Sequence, residues 1–120
     1  MWRKTRSENQ FCIGVDPNRN YDANWGGPGS SGQSCSDTYR GPKVASEIET
    51  QNHVSYMTGL QSKGANLRLY LTYHSYSQLI IFPYAYDFTS VPENYDELNT
   101  LAEAAAEAIK AVDEKVYRPF

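Results

Sequence analysis

Several ordinary signatures are missing from this chain, and each absence narrows what it can be. No apolar run exceeds Leu79-Ile80-Ile81-Phe82, which is strand-sized and far short of the ~18 residues a membrane-spanning helix needs. The 11 Lys and Arg are outnumbered by 14 Asp and Glu, giving a formal net charge of −3. No basic stripe offsets that balance, so a nucleic-acid partner is not expected. The opening Met1-Trp2-Arg3-Lys4 leads into no apolar stretch, so no signal peptide is expected there. H-E-x-x-H, the P-loop and G-x-S-x-G are all absent, and no cysteines stand at zinc-finger spacing. Histidine is scarce too, with only His53 and His74, so histidines alone cannot supply the three ligands of a usual catalytic zinc site.

What is present fits one domain. A chain of 120 residues can bury roughly two-thirds of its unfolded surface, enough for a single core. Residues 1–45 are rich in turn formers, and Asn24-Trp25-Gly26-Gly27-Pro28-Gly29-Ser30-Ser31-Gly32 excludes a helix. Within that stretch Phe11-Cys12-Ile13-Gly14-Val15 predicts a short buried strand, ended by Asp16-Pro17. Cys12 and Cys35 flank the glycine run, either as a disulfide worth ~3 kcal/mol or as two free buried thiols. A helix is predicted over 46–63, with Ser46 as N-cap, Glu49 reaching back, Val54, Met57 and Leu60 at helical spacing, and Gly64 as the stop. Residues 67–73 alternate with period two, as a strand does, and 79–82 form another. The clearest helix spans 95–115 behind an Asn94 cap, with Leu98, Leu101, Ala105, Ile109, Val112 and Val116 on one face. This order predicts an α/β layered domain.

Five features carry possible chemistry. His74 follows a strand at the end where α/β sheets bind ligands, so it is either a metal or catalytic histidine or a hydrogen-bonded structural one. His53 lies mid-helix among polar neighbours and is expected to be solvated. Asp16-Pro17-Asn18-Arg19-Asn20 also follows a strand; Arg19 offers a planar fork for a carboxylate and Asn18 a further donor, against the alternative of a simple Asx turn. Met1-Trp2-Arg3-Lys4-Thr5-Arg6-Ser7 could stabilise an oxyanion, with a solvated tail as the default. Trp25, Tyr84 and Tyr86 either roof a core or form a sugar-binding platform.

Four stretches in order then carry a resemblance: Trp2-Arg3-Lys4-Thr5-Arg6-Ser7, Gly14-Val15-Asp16-Pro17-Asn18-Arg19-Asn20, Cys35-Ser36-Asp37-Thr38-Tyr39-Arg40-Gly41-Pro42 and His74-Ser75-Tyr76-Ser77-Gln78. Together they resemble the central part of a zinc metallocarboxypeptidase of the pancreatic A/B subfamily, over essentially the whole chain. The resemblance implies a secreted peptidase whose substrate is a peptide or protein with a free C-terminal carboxylate. It implies no nucleic-acid or membrane partner and a monomeric enzyme. Residue by residue it makes His74 the third ligand of a single Zn2+ and Arg3 the cation that polarises the scissile carbonyl and holds the oxyanion. Asn18 and Arg19 become the grip on the substrate's terminal carboxylate, Tyr76 a tyrosine lining the upstream subsites, and Cys12–Cys35 the family disulfide.

The same resemblance places the H-x-x-E zinc motif before Trp2 and the catalytic glutamate after Phe120. The expectation is therefore that residues 1–120 are the central portion of one peptidase catalytic domain, with no complete domain boundary inside. The corresponding fold is α/β, part of a mixed central β-sheet with helices on its faces, incomplete, and inactive as an isolated chain. The alternative is a non-catalytic binding module that recognises free peptide C-termini through Asn18 and Arg19.

Overall fold

The computed structural model describes residues 2–87 and 89–120 and divides into two compact units, Met1–Tyr70 and Leu71–Phe120.

In the first unit, the turn-rich N-terminal stretch folds around Val15, which is fully buried, and Tyr39 is buried as well. The strand predicted over 11–15 does not form. Phe11 is 78% exposed and Ile13 half-exposed, and the backbone pairs only where the Thr5 amide donates to the Val15 carbonyl at 2.8 Å and the Gly14 amide to the Ser7 carbonyl at 2.8 Å. Gly14 sits at φ +81°, and a Cβ there would overlap the Thr5 carbonyl, so this close approach of two backbones requires glycine. Asp16 then caps a 3₁₀ turn, Pro17–Arg19, with the proline at the start, where a missing amide costs nothing.

Helix α1 runs Ile48–Ser62. Its N-cap is Glu47 rather than Ser46, and no side chain caps it, because the Ser46 hydroxyl donates to the Glu47 carboxylate instead. Its C-terminus does stop as expected, with Gly64 at φ +79° and its amide donating to the Gln61 carbonyl. The predicted strand over 67–73 has no ladder partner among the described residues, and every residue in it is exposed.

The second unit is a β-α-β arrangement. Strand β1 (Leu79–Ile80) lies parallel to β2 (Arg118–Pro119), Leu79 opposite Arg118 and Ile80 opposite Pro119. The bonds run from the Arg118 amide to the Gln78 carbonyl and from the Phe120 amide to the Ile80 carbonyl. Between them α2 spans Tyr95–Asp113 and packs against β2. Its buried face is built on Ala102 and Ala106, while Leu101 and Val112 are exposed, so the face is rotated from the one the periodicity indicated. Asn94 stands at the N-cap without a side-chain bond, and Glu114 ends the helix in the left-handed region. Helices plus a parallel strand pair joined by a helix are the α/β class, represented here by one strand pair.

Candidate functional site

The first unit gathers Arg3, Asn18 and Arg19 around the buried carboxylate of Asp16. Arg3 donates to Asp16 Oδ2 from both Nε, at 3.0 Å, and Nη2, at 2.7 Å. The Asp16 side chain is 2% exposed and that of Arg3 47%, so the guanidinium has one edge on a buried anion and the other toward solvent. Asp16 Oδ1 accepts the Asn18 amide at 3.1 Å, which closes the turn. The Asx turn expected as the alternative to a carboxylate grip is present, and it is what presents Asn18, exposed, with Arg19 beside it.

Arg19 reaches across to the glycine-rich loop. Its Nε donates to the Gly29 carbonyl at 2.9 Å and its Nη1 to the Asn18 carbonyl at 3.0 Å. No acidic side chain pairs with it among the described residues, so its charge is available to an incoming anion. The loop is anchored at Trp25, whose Nε1 donates to the Arg40 carbonyl and whose ring lies under the Arg40 guanidinium at 5.0 Å.

Behind the turn lies a buried polar network that sequence reasoning missed. Asn20 is fully buried, and its Nδ2 faces the Arg40 carbonyl, the Lys43 carbonyl and Ser46 Oγ, while its Oδ1 accepts the Glu47 amide at 3.1 Å. Glu47, 5% exposed, accepts from Thr5 Oγ1 at 2.5 Å and from Ser46 Oγ at 2.8 Å. Burial, the largest single influence, pushes its carboxyl up. Hydroxyl bonds from Ser7, Thr5 and Ser46 together outweigh that and leave it below the ordinary value. Thr5 Oγ1 also accepts the Val15 amide at 2.8 Å, so the network reaches the residue next to Asp16. The only sequence-level hint was Ser46-Glu47 ahead of a helix, which reads as a cap.

The N-terminal basic cluster is not a solvated tail. Lys4 is buried, donates to the Ser34 carbonyl at 2.6 Å and lies over the Tyr39 ring, because the Thr5–Val15 pairing draws it inward. Arg6 stacks on Trp2 at 3.8 Å. Cys12 and Cys35 are joined as a disulfide, with Cα atoms 5.1 Å apart. The disulfide, Trp2, Arg3, Lys4, Ile13 and Asp37 line a cavity of about 290 Å³. His53 is not free in solvent either: Tyr21 Oη lies 2.9 Å from its Nδ1 and Tyr70 Oη 3.0 Å from its Nε2. The pattern could not foresee this, since both tyrosines come from outside the helix.

The second unit holds His74 and Tyr76. His74 is exposed, with Nε2 3.2 Å from Thr72 Oγ1, and Tyr76 is 98% exposed. The Ser75–Tyr76 peptide bond is cis. Among the described residues no group of three or more His, Cys, Asp or Glu gathers where one metal ion could be held. His74 is thus a single exposed imidazole that belongs to no such group among the described residues. Tyr84 and Tyr86, 5.7 Å apart, are each about half-exposed, while Trp25 stacks on Arg40, so the three candidate platform aromatics split between the units.

Comparison with known proteins converges on one family. The zinc carboxypeptidase family model matches residues 1–119. Carboxypeptidase A2 of Rattus norvegicus is 48% identical over 120 residues, covering 98% of this chain and 28% of that protein. Carboxypeptidase B of the same species is 45% identical over 111 residues, covering 91% of this chain and 26% of its own. Among solved structures, bovine thrombin-activatable fibrinolysis inhibitor in complex with tick carboxypeptidase inhibitor superposes with a TM-score of 0.87 at 35% identity, over 99% of this chain and 40% of that one. Carboxypeptidase A from Helicoverpa armigera gives 0.82 at 32% identity, over 98% and 29%. The chain spans little more than a quarter of the length of the curated relatives it matches.

Proposed function

Because the chain belongs to the zinc carboxypeptidase family, we propose that it serves hydrolysis of the C-terminal peptide bond of peptides or proteins, with Asn18 and Arg19 gripping the terminal carboxylate. The observation that carries this is the turn itself: an exposed Asn18 and a guanidinium without an acidic partner among the described residues, presented together by a buried Asp16. A planar fork and an amide donor match the geometry of a carboxylate, and a cation fixed there favours chain ends over internal bonds. Arg3, held side-on, is the cation for charge developing on the scissile carbonyl oxygen.

Zinc, as the family implies, would supply Lewis-acid polarisation and a lowered water pKa when bound. His74 is proposed as one donor to it, and Tyr76 as a wall of the upstream subsites. The described residues do not complete the donor set, so the chemistry assigned to this chain is substrate grip and charge stabilisation. The Cys12–Cys35 disulfide supports an extracellular setting.

The test is calorimetric titration of the chain with a short peptide bearing a free C-terminus and with its amidated form. Binding of the first alone, abolished by Arg19→Ala, is the expected result. Equal affinity for both peptides, or an unchanged Kd in Arg19→Ala, would refute the grip.

A further inference from the structure

We infer that Asp16 is the positioning residue of this site: its two oxygens separately hold the Arg3 guanidinium and the turn that presents Asn18 and Arg19. The inference rests on the roles proposed above for those three residues and adds what keeps them in register.

The division of labour is visible atom by atom. Oδ2 receives two donors of Arg3, Nε at 3.0 Å and Nη2 at 2.7 Å, and Oδ1 receives the Asn18 amide at 3.1 Å. Asp16 is itself fixed from three sides: its amide donates to the Tyr39 carbonyl at 2.8 Å, Val15 before it is clamped to Thr5 through both amide and carbonyl, and Pro17 after it fixes the turn's start. A carboxylate at 1% residue exposure with no freedom to swing makes a rigid reference point.

The consequence for chemistry follows from which nitrogens are committed. With Nε and Nη2 turned to Asp16, Arg3 keeps Nη1 without a protein partner among the described residues, on the exposed side of the guanidinium. A cation held in advance of charge development loses no rotational freedom when the charge appears, which is where preorganisation lowers a barrier. The same carboxylate closes the turn, so the oxyanion cation and the carboxylate grip move as one body. Aspartate is required for the double role. Asparagine could still accept the Asn18 amide on Oδ1, but it would turn an NH2 toward the guanidinium, donor against donor.

That chemical difference gives the experiment. In the 15N-labelled full chain, Arg3 Nε–H exchange with solvent is compared with that of Arg68, an exposed arginine, in the same sample. The Asn18 amide is followed in parallel. Arg3 should exchange at least about tenfold more slowly than Arg68, as expected for a charge-assisted bond. In Asp16→Asn the Arg3 signal should accelerate to the Arg68 rate while Asn18 protection stays; in Asp16→Ala both should be lost. A merely structural aspartate would move both signals together in Asp16→Asn, or neither. Equal exchange for Arg3 and Arg68 in the unmodified chain overturns the proposal whether or not the variants fold. A free-carboxylate peptide titrated into the same samples keeps the two ideas apart. Failure of the unmodified chain to bind it counts against the proposed grip, while the exchange rates still decide the role of Asp16.

Discussion

Replacing both Cys12 and Cys35 by serine is expected to destabilise the first unit by about 3 kcal/mol. The crosslink spans 23 residues. Loop-closure entropy for that length is roughly 11 cal/mol/K, or about 3 kcal/mol at room temperature, removed from the unfolded ensemble. Little else in that unit compensates. Val15 and Tyr39 are its buried apolar residues, while the closed loop contains the Asp16–Asn20 turn and the whole glycine run. Serine itself adds little, because Cys35 is exposed and Cys12 half-buried, so each hydroxyl remains within reach of water. Urea unfolding followed by Trp2 and Trp25 fluorescence reads the change directly. With m of about 1–3 kcal/mol/M for a small protein, the midpoint should fall by about 1–3 M. The slope should also rise, since the uncrosslinked denatured chain exposes more surface. A loss below about 1 kcal/mol with an unchanged slope would refute the entropic argument for this loop.

The buried carboxylate supplies two further tests. Thr5→Val removes the hydroxyl that donates to Glu47 and accepts the Val15 amide, and should cost about 2–3 kcal/mol. Thr5→Ser, keeping the oxygen, should recover most of it in the same urea assay. Glu47 lies below its ordinary 4.5 in the folded state, so its contribution is complete above that value and is lost as pH falls through the folded value. The Tm difference between the unmodified chain and Glu47→Gln should therefore shrink on acidification; a difference that grows would contradict the assignment. Thr50 is 1% exposed, and its hydroxyl has no partner among the described residues, so Thr50→Val should stabilise by about 1 kcal/mol, and a destabilised variant would show that the hydroxyl is bonded.

The parts of the fold that were legible in the sequence are those fixed by near neighbours. Asp16-Pro17 marks a turn start because aspartate accepts the amide two residues on and proline presets φ, and the structure has both. Gly64 ends α1 for an equally local reason, and α2 follows from its own periodicity to within two residues. The strands expected over 11–15 and 67–73 do not form, because a sequence pattern tells which side chains are apolar or share a face and not which backbone pairs with them; within 79–82 a strand does form at Leu79–Ile80, where β2 supplies the partner. Residues 67–73 alternate cleanly, yet an extended segment is a strand only when a partner satisfies its amides and carbonyls. The candidate site divides in the same way. Arg3, Asn18 and Arg19 were recognisable through motifs, but Asp16 read as a strand terminator and the start of an Asx turn, and its bond to Arg3 from 13 residues away left no local sign.

The missing element of the sequence reading was long-range polar satisfaction, and it explains how a site can be held with so small an apolar core. Asn20 Nδ2 bonds to Ser46 Oγ, Ser46 Oγ donates to Glu47, Glu47 accepts from Thr5, and Thr5 takes the Val15 amide beside Asp16. The Glu47 amide returns to Asn20 Oδ1 and closes a ring. Each link is directional, and a buried donor left without its acceptor costs about 1–3 kcal/mol. A slipped turn would therefore break several links at once, whereas an apolar contact of the same area would tolerate the slip. Hydrophobic burial gives this segment its collapse through Val15 and Tyr39. The geometry of Arg3, Asn18 and Arg19 is set instead by a chain of hydrogen bonds that runs from Asn20 to the amide next to Asp16.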